Sequence, residues 1–237
     1  MWQFEDFNKW NEEGRPIDKN IIELNISNSN IKILGNLVNL VNLEKLDCSC
    51  NKLTSLKGIE NLINLKLLRC CFNQLTSLEG IENLVNLEKL CFYYNQLTSL
   101  EGIENLVNLK ELYCSNNQLI SLEGIENLVN LEYLDCHNNQ LTSLEGIENL
   151  VNLEYLDCHN NQLTSLEGIE NLVKLIKNNK QLKNKIKYNF MDSDDYIELN
   201  VLFGNLIKCN NNKIDKYIEE IEQMIIKLNG FQKCILK

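Results

Sequence analysis

Leu131–Asn152 reads LEYLDCHNNQLTSLEGIENLVN, and Leu153–Lys174 repeats it with one change, Lys for Asn at the last position. A 22-residue period held this tightly means that one structural unit is stacked on copies of itself. Such a unit cannot bury its apolar face alone, so neighbouring copies share one continuous core. Working outward, seven copies begin at Ile21, Leu43, Leu65, Leu87, Leu109, Leu131 and Leu153. The first is degenerate, with Ser29 where the others carry Asn and Asn36 where they carry Gly. An eighth begins at Leu175 and decays at once.

Each position in the unit has a physical reading. Leu109, Leu112 and Cys114 alternate with Glu111 and Tyr113, the one-in, one-out pattern of a short strand. Equivalent strands then stack as a parallel sheet about 4.8 Å apart. Asn51, Asn73, Asn95, Asn117, Asn139 and Asn161 form a column just after the strands. Their amides can pair the backbone groups that the turning chain would otherwise bury unsatisfied. Leu119, Leu122, Ile125 and Leu128 recur every three residues, which suits a 3₁₀ segment better than an α-helix. Gly124 and its equivalents permit the turn that starts this outer segment.

The segment L-x-x-L-x-C-x-x-N-x-L resembles the leucine-rich repeat, with Cys mostly in place of the third apolar residue. Its length is similar to that of the class found in bacterial internalin-type proteins and in the nuclear regulatory subunit of a protein phosphatase. The resemblance implies an α/β fold: a leucine-rich repeat solenoid with a parallel concave β-sheet, 3₁₀ convex segments and a C-terminal helical module. It also implies non-enzymatic protein binding on the concave face. The expected organisation is an N-terminal helical cap over residues 1–20, a solenoid over 21–174, and a degenerate repeat with a helical module over 175–237. Trp2, Phe4, Phe7 and Trp10 supply the apolar face of the first cap, and Pro16 marks the passage into the first strand. In overall style, rich in Asn, Lys and Ile and poor in Ala and Pro, the chain is similar to repeat proteins of giant DNA viruses and low-GC bacteria.

Charge narrows the function classes. The formal net charge is −10, but residues 1–174 carry 12 basic against 25 acidic side chains while residues 175–237 carry 11 against 8. Much of the acidity lies in two outer columns, Glu79 to Glu167 and Glu60 to Glu170, read as a solvated convex face. Nucleic-acid binding by the repeats is disfavoured, because phosphates need cationic neutralisation. No apolar run is long enough to span a membrane. The start, MWQFEDFNKW, lacks the basic-then-apolar pattern of a signal peptide, so an intracellular, cytoplasmic location is expected. No phosphate loop, oxyanion donor set or nucleophile motif calls for a cofactor or for catalysis.

Cys48, Cys70, Cys114, Cys136 and Cys158 share one inward column, where Cys acts as a small hydrophobe. Their parallel side chains suit disulfides poorly. Cys71 and Cys91 fall at outward positions and are expected to be exposed. At the other end, lysines 174, 177, 180, 183, 185 and 187 mark a basic helix or connector. Residues 195–208 and 214–228 read as helices, the second capped by Gly230.

The strand segments drift between copies, whereas NQLTSLEGIENLVN is nearly invariant in repeats three to six. The first outward column runs Glu23, Lys45, Leu67, Lys89, Glu111, Tyr133 and Tyr155, and the second Asn25, Asp47, Arg69, Cys91, Tyr113, Asp135 and Asp157. The third runs Ser27, Ser49, Cys71, Tyr93, Ser115, His137 and His159. Phe72, Tyr93, Tyr94, Tyr113, Tyr133 and Tyr155 are expected to form one aromatic patch across the concave face, and tyrosine is favoured at interfaces. The candidate contacts with an unidentified protein partner are Arg69, Tyr93, Tyr113, Tyr133, Tyr155, Asp135, His137, Asp157 and His159. An alternative is that the Asp135/His137/Asp157/His159 set binds a metal or performs acid–base chemistry. A third reading is an adaptor acting through its C-terminal helices.

Overall fold

The computed structural model describes residues 1–163, 166–178, 186–187, 197–209 and 213–235. Eight parallel strands form one sheet in sequence order. They are β1 (Glu23–Asn25), β2 (Lys45–Asp47), β3 (Leu67–Arg69), β4 (Lys89–Cys91), β5 (Glu111–Tyr113), β6 (Tyr133–Asp135), β7 (Tyr155–Asp157) and β8 (Ile186–Lys187). Through β7 the register advances by one repeat per rung, as Leu112 pairs with Leu134 and Leu134 with Leu156. The chain is a leucine-rich repeat solenoid with helices at both ends.

The core is a stack of leucine rungs. Leu109, Leu112, Leu119, Ile125 and Leu128 are fully buried in the fifth copy, as are their counterparts in neighbouring copies. Each such side chain contributes about 1.5–3 kcal/mol once covered. The inward cysteines are equally buried, and Phe92 fills their place in the fourth copy. Burial pushes the thiols of Cys48, Cys70, Cys114, Cys136 and Cys158 up in pKa, so they remain protonated fillers. Cys114 Sγ donates to Asp135 O at 3.3 Å.

The asparagine column forms a continuous ladder. Asn117 Oδ1 accepts from Leu97 N at 3.0 Å, while Nδ2 donates to Phe92 O at 3.1 Å and Cys114 O at 3.2 Å. Asn95 and Asn139 repeat the pattern one rung away. A second asparagine ladder runs outside it. Asn64, Asn86, Asn108, Asn130 and Asn152 each donate to a carbonyl in the preceding repeat at 2.8–2.9 Å, and Asn42 donates to Lys19 O, just before the first repeat, at 2.8 Å. The next residue in that column is Lys174, the one change between the last two copies.

Convex segments are successive i→i+3 turns, as in Leu128 N to Ile125 O at 2.9 Å. They close into 3₁₀ helices at Ile125–Asn127 and Ile147–Asn149. Gly124 opens the first at φ 96°, where a β-carbon is disfavoured. Its N–H donates to Glu126 at 2.9 Å. Glu60, Glu82, Glu104 and Glu148 accept from the equivalent glycines. One of the two acidic columns therefore ties down turns as well as facing solvent.

The seventh copy departs from the 3₁₀ expectation. Its outer segment, nearly identical in sequence, is part of helix α2 (Leu166–Asn178). The register explains it. Leu156 pairs with Ile186, thirty residues on, where every earlier rung spans 22. The longer return path leaves room for an α-helix, which rises only about 1.5 Å per residue. Within residues 174–187, read from the sequence as a helix or connector, β8 adds a short further rung.

Helix α1 (Phe4–Glu12) covers the N-terminal end with Phe7 and Trp10 buried, while Trp2 bridges in parallel to Leu24. Trp10 Nε1 donates to Pro16 O at 2.7 Å. At the other end, α3 (Ile197–Lys208) packs on α4 (Ile214–Ile235), and α4 contacts α2. Ile214, Ile218 and Ile221 supply the buried face of α4. Residues 195–196 of the expected second helix lie outside the described residues. Helix α4 continues through Gly230, correcting the expected cap. An internal glycine costs a helix only about 0.5–1 kcal/mol, and Phe231–Ile235 contain no proline to stop it. Of the basic run, Lys177 pairs with Glu222 of α4; lysines 180, 183 and 185 lie outside the described residues.

Candidate functional site on the concave face

Strand alternation aims the three variable columns away from the leucine core, and in-register pairing brings side chains of adjacent repeats within contact. The expected single aromatic patch divides into two clusters. Tyr113, Tyr133 and Tyr155 stack, with ring centroids 4.8 Å and then 4.3 Å apart. Tyr113 belongs to the second column, opposite Asp135, and reaches diagonally to Tyr133. Its hydroxyl donates to Glu111 Oε2 at 2.8 Å, and Lys89 Nζ lies 4.7 Å from its ring centroid. Burial and the Glu111 carboxylate push the Tyr113 phenol up in pKa.

Tyr93 joins a separate cluster. Phe72 and Tyr94 stack at 4.6 Å and 10°, with Tyr93 edge-on to Phe72 at 5.3 Å. Phe72 and Tyr94 immediately precede the ladder asparagines, at φ 53° and 55°. Asn116, Asn138 and Asn160 hold the same place in later repeats. The two aromatic rings are 46% and 50% exposed. Large side chains in left-handed backbone are costly, a signal that sequence spacing alone does not supply.

Cys71 and Cys91 contradict the expectation of exposure, being only 2% and 4% exposed. They are small side chains flanked by longer ones, including Tyr93, Lys89 and Arg69. The adjacent Cys91 side chain, together with burial, holds the Cys71 thiol above the ordinary range. Cys50 is exposed.

The charged groups pair across rungs. Lys45 pairs with Glu23, Lys89 with Glu111, and Arg69 with Asp47 at 3.9 Å. The Glu111 carboxyl is raised by burial, but hydrogen bonds from Lys89 and Tyr113 outweigh this and bring it below its usual range.

The structure brings Asp135, His137, Asp157 and His159 together. His137 Nδ1 lies 2.5 Å from Asp135 Oδ1, and His159 Nδ1 makes the same contact with Asp157. The two imidazoles stack at 4.8 Å and 4°. Asp157 is 4% exposed and its Oδ2 accepts from Tyr155 Oη at 3.2 Å. Ser115 Oγ reaches Asp135 Oδ2 at 3.3 Å.

Comparison with known proteins agrees with this architecture. The family model described as Leucine Rich repeats (2 copies) matches residues 63–105, 85–128, 107–150 and 129–171. Residues 63–171 thus match leucine-rich repeats, and the fold over most of the chain is that of the solved leucine-rich repeat structures. Among solved structures, an internalin (inlF) from Listeria monocytogenes superposes with TM-score 0.63 at 24% identity, over 72% of this chain and 47% of its own. A leucine-rich repeat protein of Leptospira interrogans gives 0.65 at 26%, over 83% and 50%. Internalin C2 (inlC2) from Listeria monocytogenes gives 0.61 at 23%, over 74% and 76%. The chain thus spans about half the length of the first two. No curated protein matches by sequence. Among the described residues no helix is long and apolar enough to cross a membrane.

Proposed function

We propose that the chain is a non-enzymatic interaction module that binds a partner protein on its concave face. The observation that carries this reading is the stack Tyr113–Tyr133–Tyr155, three large amphipathic rings held against one another on a rigid sheet. Aromatic anchors preordered in this way lose little rotamer freedom on binding and are enriched among energetic hot spots. Arg69, Tyr93, Asp135, His137, Asp157 and His159 extend the same surface. Lys45, Arg69 and Lys89 are each engaged by a carboxylate one rung away. That pairing favours a protein partner over a polyanion such as nucleic acid. Leucine-rich repeat proteins are commonly binding scaffolds, which agrees with this reading.

The test is affinity capture from the source cells with wild type and with Tyr113→Ser/Tyr133→Ser/Tyr155→Ser, after circular dichroism shows both folded. Hot-spot losses of about 2 kcal/mol or more each predict that partners held by wild type are lost by the variant. Identical partner sets from both would refute the concave reading and move attention to the C-terminal helices.

A further inference from the structure

We propose that His137 and His159, oriented by Asp135 and Asp157, form a surface site for a borderline divalent transition metal ion, such as zinc or nickel, at the C-terminal end of the concave sheet. The argument begins with the tripeptide Asp-Cys-His, which occurs on two consecutive rungs. In a strand, residues two apart share a face. Each carboxylate therefore meets the imidazole of its own rung at Nδ1. A neutral imidazole that donates Nδ1–H to a carboxylate presents Nε2 as a lone pair. Asn116 Nδ2, 3.3 Å from His137 Nε2, is placed to donate to that lone pair.

The in-register sheet then makes the two rings near copies by translation. With a 4° interplanar angle and the same Nδ1 contact on each, both Nε2 atoms point the same way. A carboxylate that fixes the tautomer and raises the basicity of a ligating histidine is the usual outer shell of a metal site. Here it is present twice, and one of its members, Asp157, is 4% exposed and further fixed by Tyr155. His137, Asp157 and His159 each offer a ligand atom, all within 4.8 Å of one another.

The chemistry of the donors selects the ion. Paired imidazoles suit zinc, nickel and copper, whereas calcium and magnesium take oxygen ligands. With metal–nitrogen bonds of about 2.0–2.1 Å, two nitrogens on one tetrahedral ion lie roughly 3.4 Å apart. The rings stacked at 4.8 Å must therefore tilt toward each other, and Asn116 must release His137. Both imidazoles are partly exposed and have room to do so. Water completes the shell.

The chain has only two histidines, so their imidazole C–H resonances report this site and no other. Zinc is titrated into the full chain under reducing conditions and both resonances are followed by NMR. The proposal expects both to move together and to saturate at one zinc per chain. His159→Ala should weaken the response of His137 at least tenfold. Asp135→Asn should weaken zinc binding by about 10–100-fold, the usual effect of an outer-shell change, and it does so without disturbing the more buried Asp157. Zinc uptake that leaves both imidazole resonances in place would assign binding to the thiols and overturn the proposal. So would an unchanged His137 response in His159→Ala, which would mean adventitious binding to a single imidazole.

Discussion

Asn117 offers the sharpest test of what holds the solenoid together. Its Oδ1 is the acceptor for Leu97 N at 3.0 Å, and its Nδ2 reaches Phe92 O and Cys114 O at 3.1 and 3.2 Å. Each carbonyl is shared with a neighbouring rung. Asn95 Nδ2 also reaches Phe92 O at 2.9 Å, and Asn139 Nδ2 reaches Cys114 O at 3.1 Å. Asn117→Ala therefore strips the partner from one group, the Leu97 N–H, and thins three others, the Phe92, Cys114 and Ser115 carbonyls. A buried donor left unpaired costs about 1–3 kcal/mol, and an ordinary hydrogen bond is worth about 0.5–1.5 kcal/mol. The single substitution should cost about 2–4 kcal/mol. Adding Asn139→Ala removes the second donor to Cys114 O and also orphans Leu119 N. The pair should then cost about 1 kcal/mol more than the sum of the singles, since the shared carbonyl is bare only in the double variant. Urea unfolding of all four members of the cycle measures this coupling, and amide exchange at Leu97 gives the local effect. Additivity within about 0.3–0.5 kcal/mol, or a single cost below about 1 kcal/mol, would refute the shared-carbonyl account.

Other expectations follow from particular contacts. Left-handed backbone at Phe72 and Tyr94 costs about 1–2 kcal/mol per residue, against three ring contacts, among Phe72, Tyr93 and Tyr94, worth about 0.5–1.5 kcal/mol each. Phe72→Asn/Tyr94→Asn should therefore leave stability nearly unchanged, and a loss of more than about 2 kcal/mol in urea unfolding would contradict the strain. In native alkylation read by mass spectrometry, Cys50 should react ahead of Cys71 and Cys91, with the inward column reacting only on unfolding. Glu111 is depressed in the fold, so its stabilisation is present above the unfolded carboxylate value of about 4.3 and is lost as pH falls through its folded value. Glu111→Gln should flatten that part of the acid limb in unfolding curves, and an unchanged pH dependence would remove Glu111 from the balance.

Much of the scaffold was legible because period and chemistry coincide. The alternation in Leu109–Cys114, the asparagine after each strand and the glycine before each outer turn read directly as strand, ladder and turn. Other features depend on neighbours that a single repeat does not show. The outer segment of the seventh copy is helical because its next rung lies thirty residues away. Cys91 is buried because longer side chains flank it, though its position faces outward. The role of Glu126 depends on the Gly124 N–H that it accepts, and that of Asn130 on the Val107 carbonyl one repeat back. On the concave face the columns identified which residues could meet. They did not show that Tyr113 would cross columns to join Tyr133, or that Tyr93 would turn instead to Phe72.

The uniform register from β1 to β7 has a consequence for heredity. Because Leu131–Asn152 and Leu153–Lys174 are nearly the same text, excising either joins an end to a beginning that already occurs elsewhere in the array. Recombination between such copies changes the number of rungs in whole steps and leaves both terminal caps untouched. The concave surface can thus lengthen or shorten by about 4.8 Å at a time without a new junction having to be invented. The stacked imidazoles need both of these copies: the event that merges the two into one rung leaves a single histidine.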